Sequence, residues 1–123
     1  MGIGELVSAA RERIENLTVD QVAARRETGQ VVLVDVREPG EAEKDGSIPG
    51  SIAAPRGMLE FHADPSSPYH MAELTPTQPV IVYCKSGSRS ALAAASLTDL
   101  GYAQVAHLDG GVLAWKEAGR PVV

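Results

Sequence analysis

The sequence predicts an α/β protein in which helices flank a mostly parallel β-sheet. Two apolar runs, Val31–Val34 and Val80–Tyr83, are continuous rather than alternating with polar residues. Strands buried on both faces have this pattern, which is typical of parallel sheets. Segments with helical spacing or composition lie before, between and after these runs. This alternation of strands and helices favours one α/β domain.

The first half of the chain is predicted to contain three helices and two strands. Apolar residues recur at intervals of three and four across residues 4–15, as on one face of a helix. Thr18 and Gln21 have the spacing of a capping box, which predicts a helix from about Val19 to Thr28 that ends at Gly29. The other elements are a strand over Val31–Val34, a short acidic helix with a solvated face over Glu41–Asp45, and a strand over Ile52–Ala54.

The second half gives clearer elements after a poorly patterned segment. Residues 55–77 are rich in proline and carry one weak helical signal near Tyr69–Leu74, so we expect a surface loop or lid there. The last helix includes Trp115, which is expected in the core. The predicted elements are strands over Val80–Tyr83 and Val105–Leu108, and helices over Ser90–Leu100 and Val112–Ala118.

Composition excludes several classes of protein. The 123 residues fit one domain, and their 44% hydrophobic content is too high for a disordered chain. The net charge of −5 argues against a nucleic-acid binder, and no apolar stretch is long enough to span a membrane. The single cysteine forms no internal disulfide, and the first residues do not have the pattern of a signal peptide. We therefore expect a cytoplasmic protein that binds neither nucleic acid nor membrane.

The strongest functional signal is the segment Cys84–Arg89, which joins a predicted strand to a predicted helix. Ligands of open α/β sheets bind outside the carboxyl ends of the strands, where backbone amides and helix dipoles attract anions. Gly87 lets the backbone aim amides inward, and Lys85 adds positive charge in an acidic protein. The same field favours ionisation of a thiol, so Cys84 is expected to be a thiolate nucleophile at neutral pH. The alternative is that Cys84 is a small buried apolar residue, as free cysteines often are.

The predicted site therefore has one nucleophile and a set of groups that bind an anion. Cys84 is the nucleophile. The anion-binding residues are Lys85, Ser86, Gly87, Ser88 and Arg89.

Segments of the chain resemble four motifs of the rhodanese sulfurtransferases, in the order in which that family carries them. Val80–Ser90 resembles the active-site loop, and Val34–Glu38 resembles the first motif. Gly46–Ser51 resembles the second motif, in which histidine is more usual at the position of Ser47. The C-terminal motif is resembled by Gly110–Trp115 and Gly119–Val122. Together they divide the chain into an N-terminal helical extension, residues 1–16, and a rhodanese domain, residues 17–123.

The resemblance implies a three-layer fold with a five-stranded, mostly parallel sheet flanked by helices. It also implies that Cys84 takes a sulfane sulfur from an anionic donor such as thiosulfate, becomes a persulfide, and passes the sulfur to cyanide or a thiol. No metal or organic cofactor is implied, a sulfur-relay protein is a candidate partner, and the oligomeric state is left open. Related phosphatases carry a loop one residue longer than Cys84–Arg89, which favours sulfur transfer here.

Other polar residues have weaker signals. Asp35 and Arg37 follow the first strong strand and are expected to support the site indirectly, through bonds to the backbone and an ion pair. His62, His70 and His107 lack metal-ligand spacing and are expected in loops or on the surface. The alternative function is a rhodanese-like module that binds a partner or senses sulfur or oxidant without catalysis.

Overall fold

One parallel sheet forms the centre of the computed structural model, which describes all 123 residues. Its strands are β1 (Glu15–Leu17), β2 (Val32–Asp35), β3 (Ile52–Ala53), β4 (Val80–Tyr83) and β5 (Val105–Leu108). The helices are α1 (Ile3–Arg13), α2 (Val19–Thr28), α3 (Pro39–Asp45), α4 (Leu59–Ala63), α5 (Ser88–Asp99) and α6 (Gly111–Glu117), and a 3-10 turn spans Arg56–Met58. The strand order across the sheet is β1-β5-β4-β2-β3, so β4 is central.

The predicted fold class is confirmed, and the most strongly patterned elements lie where the sequence places them. All four strand pairings are parallel. The capping box of α2 forms as predicted, because Thr18 Oγ1 accepts from the Gln21 amide at 3.2 Å and Gln21 Oε1 accepts from the Thr18 amide at 2.9 Å. Trp115 is buried, and its Nε1 donates to the Pro121 carbonyl at 2.8 Å.

Two elements differ from the prediction. The weak helix expected near Tyr69–Leu74 is wrong: the chain makes turns there, and the helix in this region is α4. The α4 helix is fixed by tertiary contacts, since Ala63 is buried and its carbonyl accepts from the Tyr102 hydroxyl at 2.7 Å. Strand β1 was not predicted from the residues, because two of its three residues are exposed and its pairing with β5 alone defines it.

Two apolar clusters pack the sheet, and α1 is packed against α5. The larger cluster includes Val34, Val82 and Leu97, and the other includes Leu33, Ile81 and Trp115. Since neighbouring residues of β2 and β4 fall in different clusters, the two clusters cover opposite faces of the sheet. A third, small cluster joins the two helices through Ala10, Ala91 and Ala95. No helix combines the length and the apolar character needed to cross a bilayer.

The two edges of the sheet differ in what they offer a ligand. The largest cavity, about 610 Å³, lies at the amino ends of β2, β4 and β5 and is lined by residues that include Gln30, Pro79 and Gln104. Cys84 follows β4 and so lies at the opposite, carboxyl edge. Ligands of open α/β sheets bind at the carboxyl edge, so we place the functional site at Cys84 despite the size of the cavity.

Candidate active site

The sulfur of Cys84 lies beneath a loop whose backbone amides point at it. The Gly87 amide donates to Sγ at 3.1 Å, and the Ser90 amide donates at 3.3 Å. Cys84 is only 1% exposed and packs with the larger apolar cluster. The thiol is therefore buried, as in the apolar alternative, but it also lies at the focus of two N–H donors. Such donors stabilise negative charge on the sulfur.

Gly87 gives the loop this shape. Its φ of +113° and ψ of −13° are left-handed, and it directly precedes α5. A Cβ at this position would lie 3.2 Å from the Arg11 guanidinium and from the Gly110 amide nitrogen. Glycine therefore meets both the backbone and the packing requirement of the loop. Lys85, Ser86 and Ser88 are exposed around it, and their side chains make no hydrogen bond within the protein.

The N-terminus of α6 donates hydrogen bonds to two carbonyls of the Cys84 loop. The Val112 amide donates to the Cys84 carbonyl at 2.9 Å, and the Leu113 amide donates to the Lys85 carbonyl at 3.1 Å. These are amides of the first helical turn, which have no partner within their own helix. Both loop carbonyls are thereby bound to α6, which leaves the loop amides to face the sulfur. Gly111 makes this approach possible, because a Cβ there would lie 2.3 Å from the Lys85 carbonyl oxygen.

Gly111→Ala is expected to destabilise the protein and to disorder the Cys84 loop. Its φ of +62° and the overlap with Lys85 together predict a loss of roughly 2–5 kcal/mol in the free energy of unfolding. Gly119→Ala is the matched control, since Gly119 has a φ of +77° but no neighbour within 4 Å. That control is expected to lose only about 1–2 kcal/mol in urea denaturation. Equal losses in the two variants would contradict the close approach of α6 to the loop.

Arg89 is held by α3 rather than free above the loop. Its Nη1 and Nη2 donate to the two carboxylate oxygens of Glu41 at 2.7 and 2.9 Å. Glu41 also accepts from the Glu38 amide at 3.0 Å. The bond from Arg89 is the main reason why the pKa of Glu41 is lowered from 4.5 to about 2. The acidic helix is thus not only a solvated face: it fixes one of the two cations predicted to bind substrate.

The pair Arg89–Glu41 predicts a pH-dependent part of the stability. Because the folded-state pKa of Glu41 lies below its ordinary value, the pair stabilises the fold above about pH 4.5, and this is lost as the pH falls to about 2. The difference in unfolding free energy between wild type and Glu41→Gln should therefore shrink across this range. Glu43→Gln, an exposed position on the same helix, is the control and should show no such change. A difference that stays constant from pH 6 to pH 2 would contradict the pairing.

Asp35 and Arg37 lie at the carboxyl end of β2, beside the residue that precedes Cys84. Arg37 Nε and Nη2 donate to the two carboxylate oxygens of Asp35 at 3.0 and 2.8 Å, and both residues are buried. Nη2 also donates to the Gly46 carbonyl at 2.9 Å, and the guanidinium lies 5.6 Å from the ring centre of Tyr83. The pair therefore ties the turn after α3 to the end of the central strand.

His107 is wrongly placed by the sequence prediction, because it is fully buried in β5 rather than in a loop or on the surface. Its Nδ1 lies 2.9 Å from Ser90 Oγ, and its Nε2 lies 2.7 Å from Asn16 Oδ1. Ser90 Oγ in turn lies 3.5 Å from Cys84 Sγ. Sequence spacing did not connect these residues. The register of β5 with β1 places Asn16 beside His107, and its register with β4 places His107 near the start of the Cys84 loop.

The other two histidines are half-buried, and only His70 lies in a loop as predicted. His62 and His70 lie in and after α4, and each bonds a backbone carbonyl, of Tyr69 and Leu74 respectively. Neither is among the residues that contact Cys84. They anchor the segment that joins α4 to β4.

Comparison with known proteins agrees with this geometry. The model of the rhodanese-like domain family matches residues 18–118. A sulfurtransferase of Allochromatium vinosum is 37% identical over 97 residues, which cover 79% of this chain and 82% of that protein. The polysulfide-sulfur transferase homodimer of Wolinella succinogenes is similar in structure, with a TM-score of 0.78, 30% identity and coverage of 97% of this chain and 85% of that one.

A third relative is similar over the whole chain. It is a Rhodopseudomonas palustris protein described as of unknown function and as a possible tyrosine phosphatase, with a TM-score of 0.91 and 42% identity. The match covers 100% of this chain and 95% of that one.

A parallel sheet with a cysteine loop at its carboxyl edge, ahead of an α-helix, is typical of rhodanese-type α/β proteins. The chain belongs to the rhodanese-like domain family. Membership of this family and the sulfurtransferase relatives support sulfur transfer as its general activity.

Proposed function

We propose that the protein moves a sulfane sulfur from thiosulfate, or from a related persulfide donor, to cyanide or a thiol through a persulfide on Cys84. The observation that carries this proposal is the pair of amide bonds, from Gly87 and Ser90, that converge on Sγ. These donors favour negative charge at the position where a thiolate must form. The exposed loop around the sulfur offers further donors to an anionic substrate.

The reaction has two steps that balance in atoms and charge. In the first, the Cys84 thiolate attacks the sulfane sulfur of thiosulfate, the bond from that sulfur to the sulfonate sulfur breaks, and sulfite leaves with the electron pair. In the second, cyanide or a thiolate attacks the outer sulfur of the persulfide. The Cys84 thiolate then leaves and is regenerated. The loop amides can stabilise the anion that each step places among them.

The two cations of the loop have different roles in this proposal. Arg89 is bound to Glu41 and holds α3 against the loop. Lys85 is exposed and makes no ion pair or hydrogen bond through its ammonium group, so it is the cation available to the donor.

Lys85→Ala is expected to raise the thiosulfate KM about tenfold, with a smaller change in kcat. A charged hydrogen bond of this kind contributes roughly 1–3 kcal/mol to binding. Lys116→Ala is the control, because Lys116 is also exposed but lies in the body of α6. Steady-state kinetics with thiosulfate and cyanide give both constants. An unchanged KM in Lys85→Ala would show that thiosulfate is held by backbone amides alone or is not the natural donor.

The proposal includes a cytoplasmic location and a partner that supplies or receives sulfur. The free thiol of Cys84 supports the location, since cysteines are kept reduced in the cytosol. The partner follows from the chemistry, because the chain has no second cysteine to receive the sulfur. A small thiol or the cysteine of a sulfur-relay protein would serve.

A second candidate is a module that binds a partner or senses sulfur or oxidant without turnover. The 1% exposure of Cys84 favours it, because a sulfur beneath a loop is less accessible to a bulky acceptor. Mass spectrometry after incubation with thiosulfate, a cysteine persulfide or glutathione persulfide distinguishes the two. Gain of one sulfur atom on Cys84, removed by cyanide, supports the transferase. No gain from any donor supports the binding module, and hydrolysis of p-nitrophenyl phosphate would instead indicate a phosphatase.

A further inference from the structure

A series of hydrogen-bonded side chains leads from the N-terminal segment to the sulfur of Cys84. Its first member, Asn16, is exposed, and His107 and Ser90 are buried. The series runs from Asn16 through His107 and Ser90, and its links measure 2.7, 2.9 and 3.5 Å. Asn16 lies outside residues 18–118, which the family model matches. This series of side chains therefore joins the active-site loop to a part of the protein that lies outside the family match.

The direction of each hydrogen bond follows from Asn16. Its Nδ2 donates to the carbonyls of Arg11 at 3.0 Å and Ile14 at 3.3 Å, so Oδ1 must be the atom that faces His107. Because Oδ1 can only accept, His107 Nε2 carries the proton of this bond. Burial lowers the pKa of His107 to about 4, so the ring is neutral at pH 7 and Nδ1 has a free lone pair.

The lone pair of His107 Nδ1 then determines where the single hydroxyl proton of Ser90 points. A bare Nδ1 at 2.9 Å is a closer acceptor than the Gly87 carbonyl at 3.2 Å, and Ser90 Oγ donates to Nδ1. Oγ consequently presents a lone pair, not its proton, to Sγ at 3.5 Å. The sulfur therefore accepts hydrogen bonds from two backbone amides, and the Ser90 hydroxyl does not donate a third.

We propose that Asn16 and His107 are positioning residues that hold the Ser90 hydroxyl proton away from the sulfur of Cys84. This inference rests on the proposed function. A hydrogen bond to a thiolate makes it a weaker nucleophile and a better leaving group. Withholding the Ser90 proton therefore speeds attack of Sγ on the donor and slows departure of Sγ from the persulfide. Both effects favour the persulfide form of Cys84 over the free thiolate.

The test measures the two half-reactions separately in His107→Phe. Phenylalanine fills the buried space but accepts no hydrogen bond from Ser90. The acceptors left to the Ser90 hydroxyl are the Gly87 carbonyl at 3.2 Å and the sulfur, and the ionised sulfur is the stronger of the two because it is charged. Both half-reactions are followed by rapid mixing at about pH 9.5, above the ordinary range of a thiol. Loading by thiosulfate is expected to slow about threefold, and discharge by cyanide to speed up about threefold.

Two controls separate positioning from packing. In the Ser90→Ala background no hydroxyl proton exists, so adding His107→Phe should move neither half-reaction further. His70→Phe is the same substitution at a histidine that contacts none of Asn16, His107 and Ser90. It should leave the rates of both half-reactions equal to those of the wild-type protein. A structural defect would slow both half-reactions and would persist when Ser90 is alanine.

A spectroscopic measurement tests the geometry even if His107→Phe does not fold. Long-range proton–nitrogen NMR of the wild-type protein should show His107 with a protonated Nε2 and a bare Nδ1. A proton on Nδ1 would overturn the inference, and so would slowing of both half-reactions in His107→Phe. If wild type acquires no persulfide, the proposed function fails as well. A persulfide that forms normally alongside these contrary results refutes only the role of His107.

Discussion

Cys84→Ser is expected to abolish sulfur transfer and to leave the melting temperature close to that of wild type. Serine is nearly the same size as cysteine, and its hydroxyl can accept the same amide bonds from Gly87 and Ser90. A hydroxyl is not ionised at pH 7 and forms no stable persulfide, however. Since Cys84 is the only cysteine of the chain, no other thiol can replace it.

Thiosulfate:cyanide turnover and a thermal melt, measured on the same preparation, test this expectation. Turnover should fall to background, and the melting temperature should stay close to that of wild type. Residual turnover above a few per cent of wild type would reveal another nucleophile and contradict the mechanism. A large fall in the melting temperature would show that the thiol has a structural role. Cys84→Ala would then separate the contribution of packing from that of the hydrogen bonds.

Asp35→Ala is expected to have the largest effect on stability, about 3–5 kcal/mol in the free energy of unfolding. The Arg37 side chain is 1% exposed, and Asp35 accepts from its Nε, its Nη2 and its backbone amide. Removing the carboxylate leaves a buried guanidinium whose Nη1 already has no hydrogen-bond partner. Breaking one half of a buried ion pair is costly because the remaining charge is not compensated.

Urea denaturation of Asp35→Ala beside a surface control measures this effect. The control is Asp20→Ala, which breaks the pair of Asp20 with Arg120. The Asp20 side chain is 89% exposed, and such pairs contribute only about 0–1 kcal/mol. Equal losses in the two variants would contradict the structural role assigned to Asp35. The double variant Asp35→Ala with Arg37→Met should recover part of the loss, because it removes the uncompensated charge.

The elements that the sequence predicted well are those whose cause is local. The continuous apolar run Val80–Tyr83 matches the central strand, and the Thr18 capping box begins α2 where its spacing places it. The Cys84 loop was predicted because strand ends and helix starts can be located from such patterns. The five-stranded sheet itself came from the resemblance to a family, not from the residues of β1.

The features that were missed depend on contacts between distant parts of the chain. Strand β1 exists because β5 pairs with it, and α4 is fixed by Tyr102. Glu41 looked like one more acid of a solvated helix until the fold brought it to Arg89. His107 lies in a predicted strand, and the polarity of histidine suggested exposure. Asn16, whose side-chain oxygen accepts the hydrogen bond from the buried His107 ring, lies near the other end of the chain.

In the proposed reaction, Cys84 carries the sulfur as a persulfide that lasts until an acceptor arrives. The most direct test of this reaction is a single turnover with the two substrates kept apart. The reduced protein is incubated with thiosulfate, excess donor is removed by gel filtration, and cyanide alone is added. About one thiocyanate per chain is expected for wild type and none for Cys84→Ser. No thiocyanate from folded wild-type protein, with its thiol confirmed as reduced beforehand, would contradict the covalent route.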